Sequence, residues 1–234
     1  MKLGILLPSF AATPERSFAA AEQAEAAGIH GVFAYCHLWP LGRPGRPAIS
    51  PYPLLGAVAG TTTRVTIGTL VARVGLESDG ALLGELLGLE ALAPGRFIAG
   101  VGTGDSLSAN ENRAYGVAFA PTRERREQLA RIAGSLVADG VETWIGGGSQ
   151  RTNDIARSLS TTINLWGAPV ADVARVAGDG PVSWGGTLLA EDSDAVDQLR
   201  ELRDAGATWA VFTFPLSVAR LVEVAERAGI SLGA

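Results

Sequence analysis

Cysteine, histidine and lysine are all scarce in this 234-residue chain, and each scarcity removes a class of function. The one cysteine, Cys36, has no partner for an internal disulfide, which fits a reducing, cytoplasmic setting. The two histidines, His30 and His37, stand apart and supply no ligand cluster for a metal-dependent barrel hydrolase, so no metal is expected. A Gly-x-Ser-x-Gly nucleophile elbow is also missing. Lys2 is the single lysine beside 18 arginines, acidic residues outnumber basic ones by 24 to 19, and no basic run could track a phosphate backbone. Nucleic acid is therefore not an expected partner. Long apolar runs are absent too: none approaches the ~20 residues of a membrane span. The run before Pro8 is about five residues, short of the roughly 7 to 15 of a signal-peptide core. A cytoplasmic protein with no membrane partner is the expectation.

What the chain does have is regular alternation. Short runs at Leu3–Pro8, Val32–His37, Val65–Val71, Phe97–Val101, Glu142–Gly146, Thr162–Trp166, Val182–Leu189 and Trp209–Phe214 predict strands, of which Phe97–Val101 reads as buried on both faces. Helix starts are marked by Thr13-Pro14, by Ser50-Pro51, and by Asp79 and Ser193; stops are marked by Gly28, Pro94-Gly95, Gly140, Gly206 and Gly229. Parallel strands need crossover helices, and eight such units close into a (β/α)₈ barrel, with an open doubly wound sheet as the alternative. Residues 1–234 are expected to form one domain, since barrels use this length as a unit. The helix after the third strand is leucine-rich around Glu85 and Glu90, and Gly80, Gly84 and Gly88 recur every four residues. Such a smooth stripe lets a second backbone approach, either within the chain or, as the preferred expectation, in a homodimer through helix 80–92.

Three segments concentrate the chemistry. In APGRFIAGVGTGD (Ala93–Asp105) a buried strand opens into a glycine loop that ends in a carboxylate, leaving room for a ligand against bare backbone at Gly102 and Thr103. In ETWIGGGSQRTNDIARSL (Glu142–Leu159) a strand leaves through Gly146, Gly147 and Gly148 into a helix near Ser149. Free amides at that helix start suit a phosphate, with Ser149, Arg151 and Thr152 as further donors, although an ordinary capped turn has the same composition. The third is TRVTIGTLVARV (Thr63–Val74). The Pro/Gly/Arg-rich stretch Gly42–Pro47 follows the second strand, at the barrel face that binds substrate or simply as a surface loop.

Together with EAAGIHGVFAYCHLW and AGATWAVF, the order of these segments resembles the luciferase-like monooxygenase family over nearly the whole chain. That resemblance implies a (β/α)₈ barrel binding the deazaflavin coenzyme F-420, or FMN, and exchanging a hydride with a small organic substrate; with FMN, oxygen activation is also open. It implies a coenzyme phosphate near Gly147–Thr152, and a bulge with a non-proline cis peptide at Leu70-Val71 backing the ring. His37 corresponds to an active-site histidine of deazaflavin-dependent relatives, where an acid commonly precedes it; Cys36 stands there instead. Asp105, where such relatives place a Glu or Asp, is expected to partner His37 or to donate a proton itself. Cys36 and Trp39 are expected near the substrate pocket, and His30 is assigned no function. Because Gly140 leads directly into WIGGG, the barrel looks compact and lacks the insertion of longer members. Two other readings follow: a non-catalytic flavin-binding or ligand-sequestering barrel, and a barrel for a phosphorylated metabolite.

Overall fold

The computed structural model describes residues 1–40 and 43–233, so Gly42 lies outside the described residues, while Arg43–Pro47 are exposed. Strands β1 (Lys2–Leu6), β2 (Gly31–Ala34), β3 (Thr66–Thr69), β4 (Ala72–Arg73), β5 (Phe97–Gly102), β6 (Glu142–Gly146), β7 (Thr162–Trp166), β8 (Val182–Gly186) and β9 (Ala207–Phe212) pair in parallel. Their order is β3-β2-β1-β9-β8-β7-β6-β5-β4, and β3 also pairs with β5 through Ile67 with Phe97 and Gly68 with Ile98. The sheet is therefore a closed barrel. β3 and β4 are two parts of one interrupted spoke, which gives the eight spokes that the alternation predicts.

Helices α1 (Glu15–Ala26), α2 (Pro51–Thr61), α3 (Asp79–Leu92), α4 (Ser108–Ala114), α5 (Thr122–Ala138), α6 (Gln150–Ser158), α7 (Val170–Ala177), α8 (Asp192–Asp204) and α9 (Val218–Arg227) make the crossovers. Among the described residues no helix is long and apolar enough to cross a membrane. All five expected stop glycines have positive φ, from +69° at Gly95 to +91° at Gly206. Starts are less accurately placed: Ser78 rather than Asp79 caps α3, accepting from the Ala81 amide, Pro14 is itself the cap of α1, and α8 begins one residue before Ser193. Strand ends differ as well. β2 stops at Ala34, not His37, and β8 at Gly186, not Leu189, because apolar residues such as Cys36 and Leu188 continue past the last ladder bond.

Side-chain alternation splits the core into two layers. One fills the space between strands and helices. The other lies inside the barrel, where Leu6, Phe33, Leu70, Ile98, Trp144, Trp209 and Val211 meet. Phe33 stacks on Trp144 at 5.2 Å between centroids and meets Trp209 edge-on at 5.7 Å, geometries that add about 0.5–1.5 kcal/mol per pair beyond burial. These aromatics close the barrel's middle. On the β7–β8 side the interior is polar instead, and buried Asn164 donates to Ser183 Oγ at 3.0 Å.

Candidate active site

Because every strand runs the same way, the loops after the strands gather at one end of the barrel, and a cavity of about 410 Å³ opens there. Part of its wall is backbone. The Leu70-Val71 peptide is cis, as the resemblance implies, and it interrupts the ladder between β3 and β4. Thr69 Oγ1 holds this bulge by donating to the Gly100 carbonyl at 2.7 Å. Val71 crowds β5 so closely that a Cβ on Gly102 would sit 2.5 Å from Val71 Cγ2. Gly147 is bare for a similar reason: a Cβ there would lie 2.7 Å from Ile163 Cγ2. Leu70, Val71, Gly102, Gly146 and Gly147 thus give one low, side-chain-poor stretch of wall.

A second stretch is aromatic. Phe10 stacks on Tyr35 at 5.4 Å, and Tyr35 meets Trp166 and His37 at 5.7 and 6.0 Å. Burial pushes the Tyr35 phenol up to about 12, despite its hydrogen bond to Thr213 Oγ1, so it stays protonated at neutral pH. Tyr35 and His37 line the cavity and Cys36, between them, does not. Alternation turns its buried thiol toward the Tyr52 hydroxyl, 4.0 Å away, which removes it from the pocket expected for it. Trp39 is also absent from the lining and contributes its backbone amide instead.

The acid missing before His37 comes from a different element. Glu111, in α4, is fully buried and brings Oε2 to 3.0 Å and Oε1 to 3.2 Å from His37 Nδ1. A carboxylate can only accept here, so Nδ1 carries the hydrogen and Nε2 is the acceptor nitrogen of the neutral ring. Glu111 also accepts from the amides of Leu38 (3.2 Å) and Trp39 (3.4 Å), and Arg73 Nη1 lies 3.0 Å from Oε2. Burial alone would raise its pKa. The hydrogen bond and charge of His37, the charge of Arg73 and the Trp39 amide outweigh that and hold the carboxyl below its ordinary range.

Asp105 is therefore not the partner of His37. It lines the cavity, but its Oδ1 caps the turn that leads into α4, accepting from the Leu107 and Ser108 amides at 3.0 and 3.1 Å and from Ser108 Oγ at 3.2 Å. Thr103 lines the cavity as expected, and its carbonyl, with that of Gly104, is held by Arg125. At α6 the two hydroxyls expected to meet a phosphate meet each other: Ser149 and Thr152 form a reciprocal capping box. Gly148 stays open, with nothing within 4 Å of where a Cβ would be, and Arg151 is exposed beside it. His30 lies at the far end, accepting from the Leu3 amide.

Comparison with known proteins identifies the family and the fold. The sequence model of the luciferase-like monooxygenase family matches residues 1–229. An F420-dependent glucose-6-phosphate dehydrogenase of Kineococcus radiotolerans is 37% identical over 130 residues, which is 55% of this chain and 38% of that protein. The Segniliparus rotundus enzyme of the same name is 29% identical over 204 residues, 78% of this chain and 58% of its own length. The matches thus span about a third to three-fifths of these relatives. Among solved structures, an F420-dependent secondary alcohol dehydrogenase in complex with an F420-acetone adduct superposes with a TM-score of 0.81 at 12% identity, covering 97% of this chain and 98% of that one. The F420-dependent tetrahydromethanopterin reductase of Methanopyrus kandleri does so with a TM-score of 0.74 at 13% identity, covering 96% of each. With the family model covering residues 1–229 and the barrel shared with these solved structures, this chain belongs to the luciferase-like monooxygenase family.

Proposed function

We propose that this chain is an oxidoreductase that transfers a hydride between the deazaflavin coenzyme F-420 and a small organic substrate, with FMN as the alternative coenzyme. The observation that carries this reading is His37, its Nδ1 fixed by a buried carboxylate, on a cavity whose other side is bare backbone. The names of the relatives support F-420 over FMN.

The residues present suit a flat ring with an anionic tail. Leu70, Val71, Gly102 and Thr103 would hold the ring, and Gly147, Gly148, Ser149, Arg151 and Thr152 the phosphate end, where the first amides of α6 carry the positive end of the helix dipole. When bound, the coenzyme supplies two-electron hydride chemistry. The protein's own part is the proton. His37 Nε2 takes it from a substrate hydroxyl during oxidation or returns it during reduction, while Glu111 keeps the ring in the tautomer that can do so. Asp105 retains Oδ2 outside its cap and is the second proton-handling group at the cavity rim. The chain acts as one domain, and as a homodimer through α3. A Cβ added at Gly80, Gly84 or Gly88 would meet nothing within 4 Å, and Leu92 is 62% exposed.

Titrating the apo-protein with F-420 and with FMN, following visible absorbance, tests the coenzyme. Hydride exchange with the His37→Ala variant then tests the residue. Saturation by one chromophore is expected, with binding kept and exchange lowered by about 10²- to 10⁴-fold in the variant. Binding without exchange in the wild type would favour the non-catalytic flavin-binding barrel. Phosphate affinity with no spectral change would favour the phosphorylated-metabolite barrel.

A further inference from the structure

Arg73 is a cavity residue without a task in hydride transfer. It sits in β4, just past the bulge, and is 4% exposed. None of its three guanidinium nitrogens makes a directional hydrogen bond among the described residues, although Nη1 lies 3.0 Å from Glu111 Oε2. A guanidinium has five donors, and burying it with so few of them used is unfavourable where an apolar chain would pack as well. What the position gains is charge. The oxygen that faces Arg73 Nη1 also faces His37 Nδ1, again at 3.0 Å. One buried carboxylate stands between a permanent cation and a base that can become one.

We propose that Arg73 is a positioning residue that acts through Glu111, balancing the carboxylate's charge so that it does not draw a second proton onto His37. This rests on His37 as the proton-handling group. A carboxylate this close to an imidazole favours imidazolium, and imidazolium has no nitrogen left to accept a substrate proton. Arg73, two hydrogen-bond lengths from the ring, opposes that charging while leaving the Nδ1 hydrogen bond in place. The other groups nearby do not substitute for it. Burial keeps Tyr35 and Cys36, beside His37 in the chain, and Tyr115, at the end of α4, in their neutral forms. Phe10 brings no charge. Asp105, before α4, is occupied by its cap, and Glu77, before α3, is itself raised by burial and by Glu85. Arg125 is spent on the Thr103 and Gly104 carbonyls. Arg73 is the buried cation in contact with Glu111.

The test reads the imidazole itself in apo-protein, by NMR titration of the ring signals. With two histidines in the chain, the His37→Ala variant identifies the His37 signal by its loss. Arg73→Met is expected to raise the His37 midpoint by about one pH unit or more, Arg73→Lys to leave it close to wild type, and Arg73→Met/Glu111→Gln to bring it back down. Glu111→Gln alone, with Arg73 then unopposed, should lower it. An unchanged midpoint in folded Arg73→Met would overturn the proposal; should that variant not fold, an unlowered midpoint in Glu111→Gln would do so. No coenzyme enters the measurement, so failure of F-420 or FMN to bind would sink the hydride-transfer reading and leave this result standing.

Discussion

Replacing Glu111 by glutamine removes the negative charge from a fully buried site and leaves Arg73, itself 4% exposed, without a counter-ion. Breaking a buried ion pair from one side costs about 3–5 kcal/mol, because the remaining charge stays out of water. Three donors and one cation converge on the two carboxylate oxygens: His37 Nδ1, the amides of Leu38 and Trp39, and the Arg73 guanidinium. Glutamine keeps one of those oxygens and turns an amide group toward the others. Each orphaned donor costs about 1–3 kcal/mol on its own, but the four form one network and their losses do not add. A net loss of about 3–5 kcal/mol at pH 7 is expected, roughly 6 to 20 °C in Tm for a domain of this size.

Urea unfolding followed by tryptophan fluorescence reads this directly, since Trp144 and Trp209 fill the barrel interior. The pH dependence has a definite sign. The Glu111 carboxyl is held below its ordinary value of 4.5 in the folded protein, so its contribution is complete above that value and disappears as pH falls through the lower, folded one. The part of the gap between wild type and Glu111→Gln that belongs to this carboxyl should therefore be complete above about pH 4.5 and narrow below it. A gap under about 1 kcal/mol at pH 7, or one that stays flat into strong acid, would refute the reasoning.

Three further outcomes follow from packing. Gly102→Ala places a methyl 2.5 Å from Val71 Cγ2 and must displace Val71 or the bulge, costing about 1–3 kcal/mol and weakening chromophore binding; a thermal shift together with the absorbance titration checks both effects. Phe33→Ala opens a cavity between Trp144 and Trp209 and should cost about 3–5 kcal/mol in urea unfolding, with the β2 end of the site loosened as well. A Cβ at Gly84 would meet nothing within 4 Å in the single chain, so for Gly84→Arg a fall in mass from dimer to monomer by light scattering would support the α3 interface. A wild type that is monomeric at micromolar concentration would remove that interface.

The barrel was legible because its signals are local and repeated. β6 and β7 end where the sequence predicts, and the helix stops fall on glycines whose positive φ is set by the turn alone. Gly102 and Gly147 on the cavity wall were legible for the same reason, whereas Leu70 and Val71 were reached through the family resemblance, since the sequence reads Val65–Val71 as one unbroken strand. Ends that depend on tertiary context were not. Apolar character carries β2 to His37 in the sequence, whereas strand pairing stops at Ala34, and the difference is what frees Tyr35 and His37 to face the cavity.

Glu111 and Arg73 lie beyond local signals altogether. α4 is the helix SANENRA, with no apolar stripe to mark an inner face, so nothing in the sequence separates its buried Glu111 from the exposed carboxylates elsewhere. Asp105 drew attention by following the glycines, yet a carboxylate one turn before a helix is also the best available cap, and local hydrogen bonds to Leu107 and Ser108 claim it first. By fixing the start of α4, that cap delivers Glu111 to His37. Arg73 carries no local mark either: strict alternation from Ile67 would put it on the helix side of the strand, whereas past the interruption at Leu70-Val71 it lines the cavity. The interruption at Leu70-Val71 thus also turns a cation toward the cavity, and the His37–Glu111–Arg73 cluster depends on both the cap and the bulge.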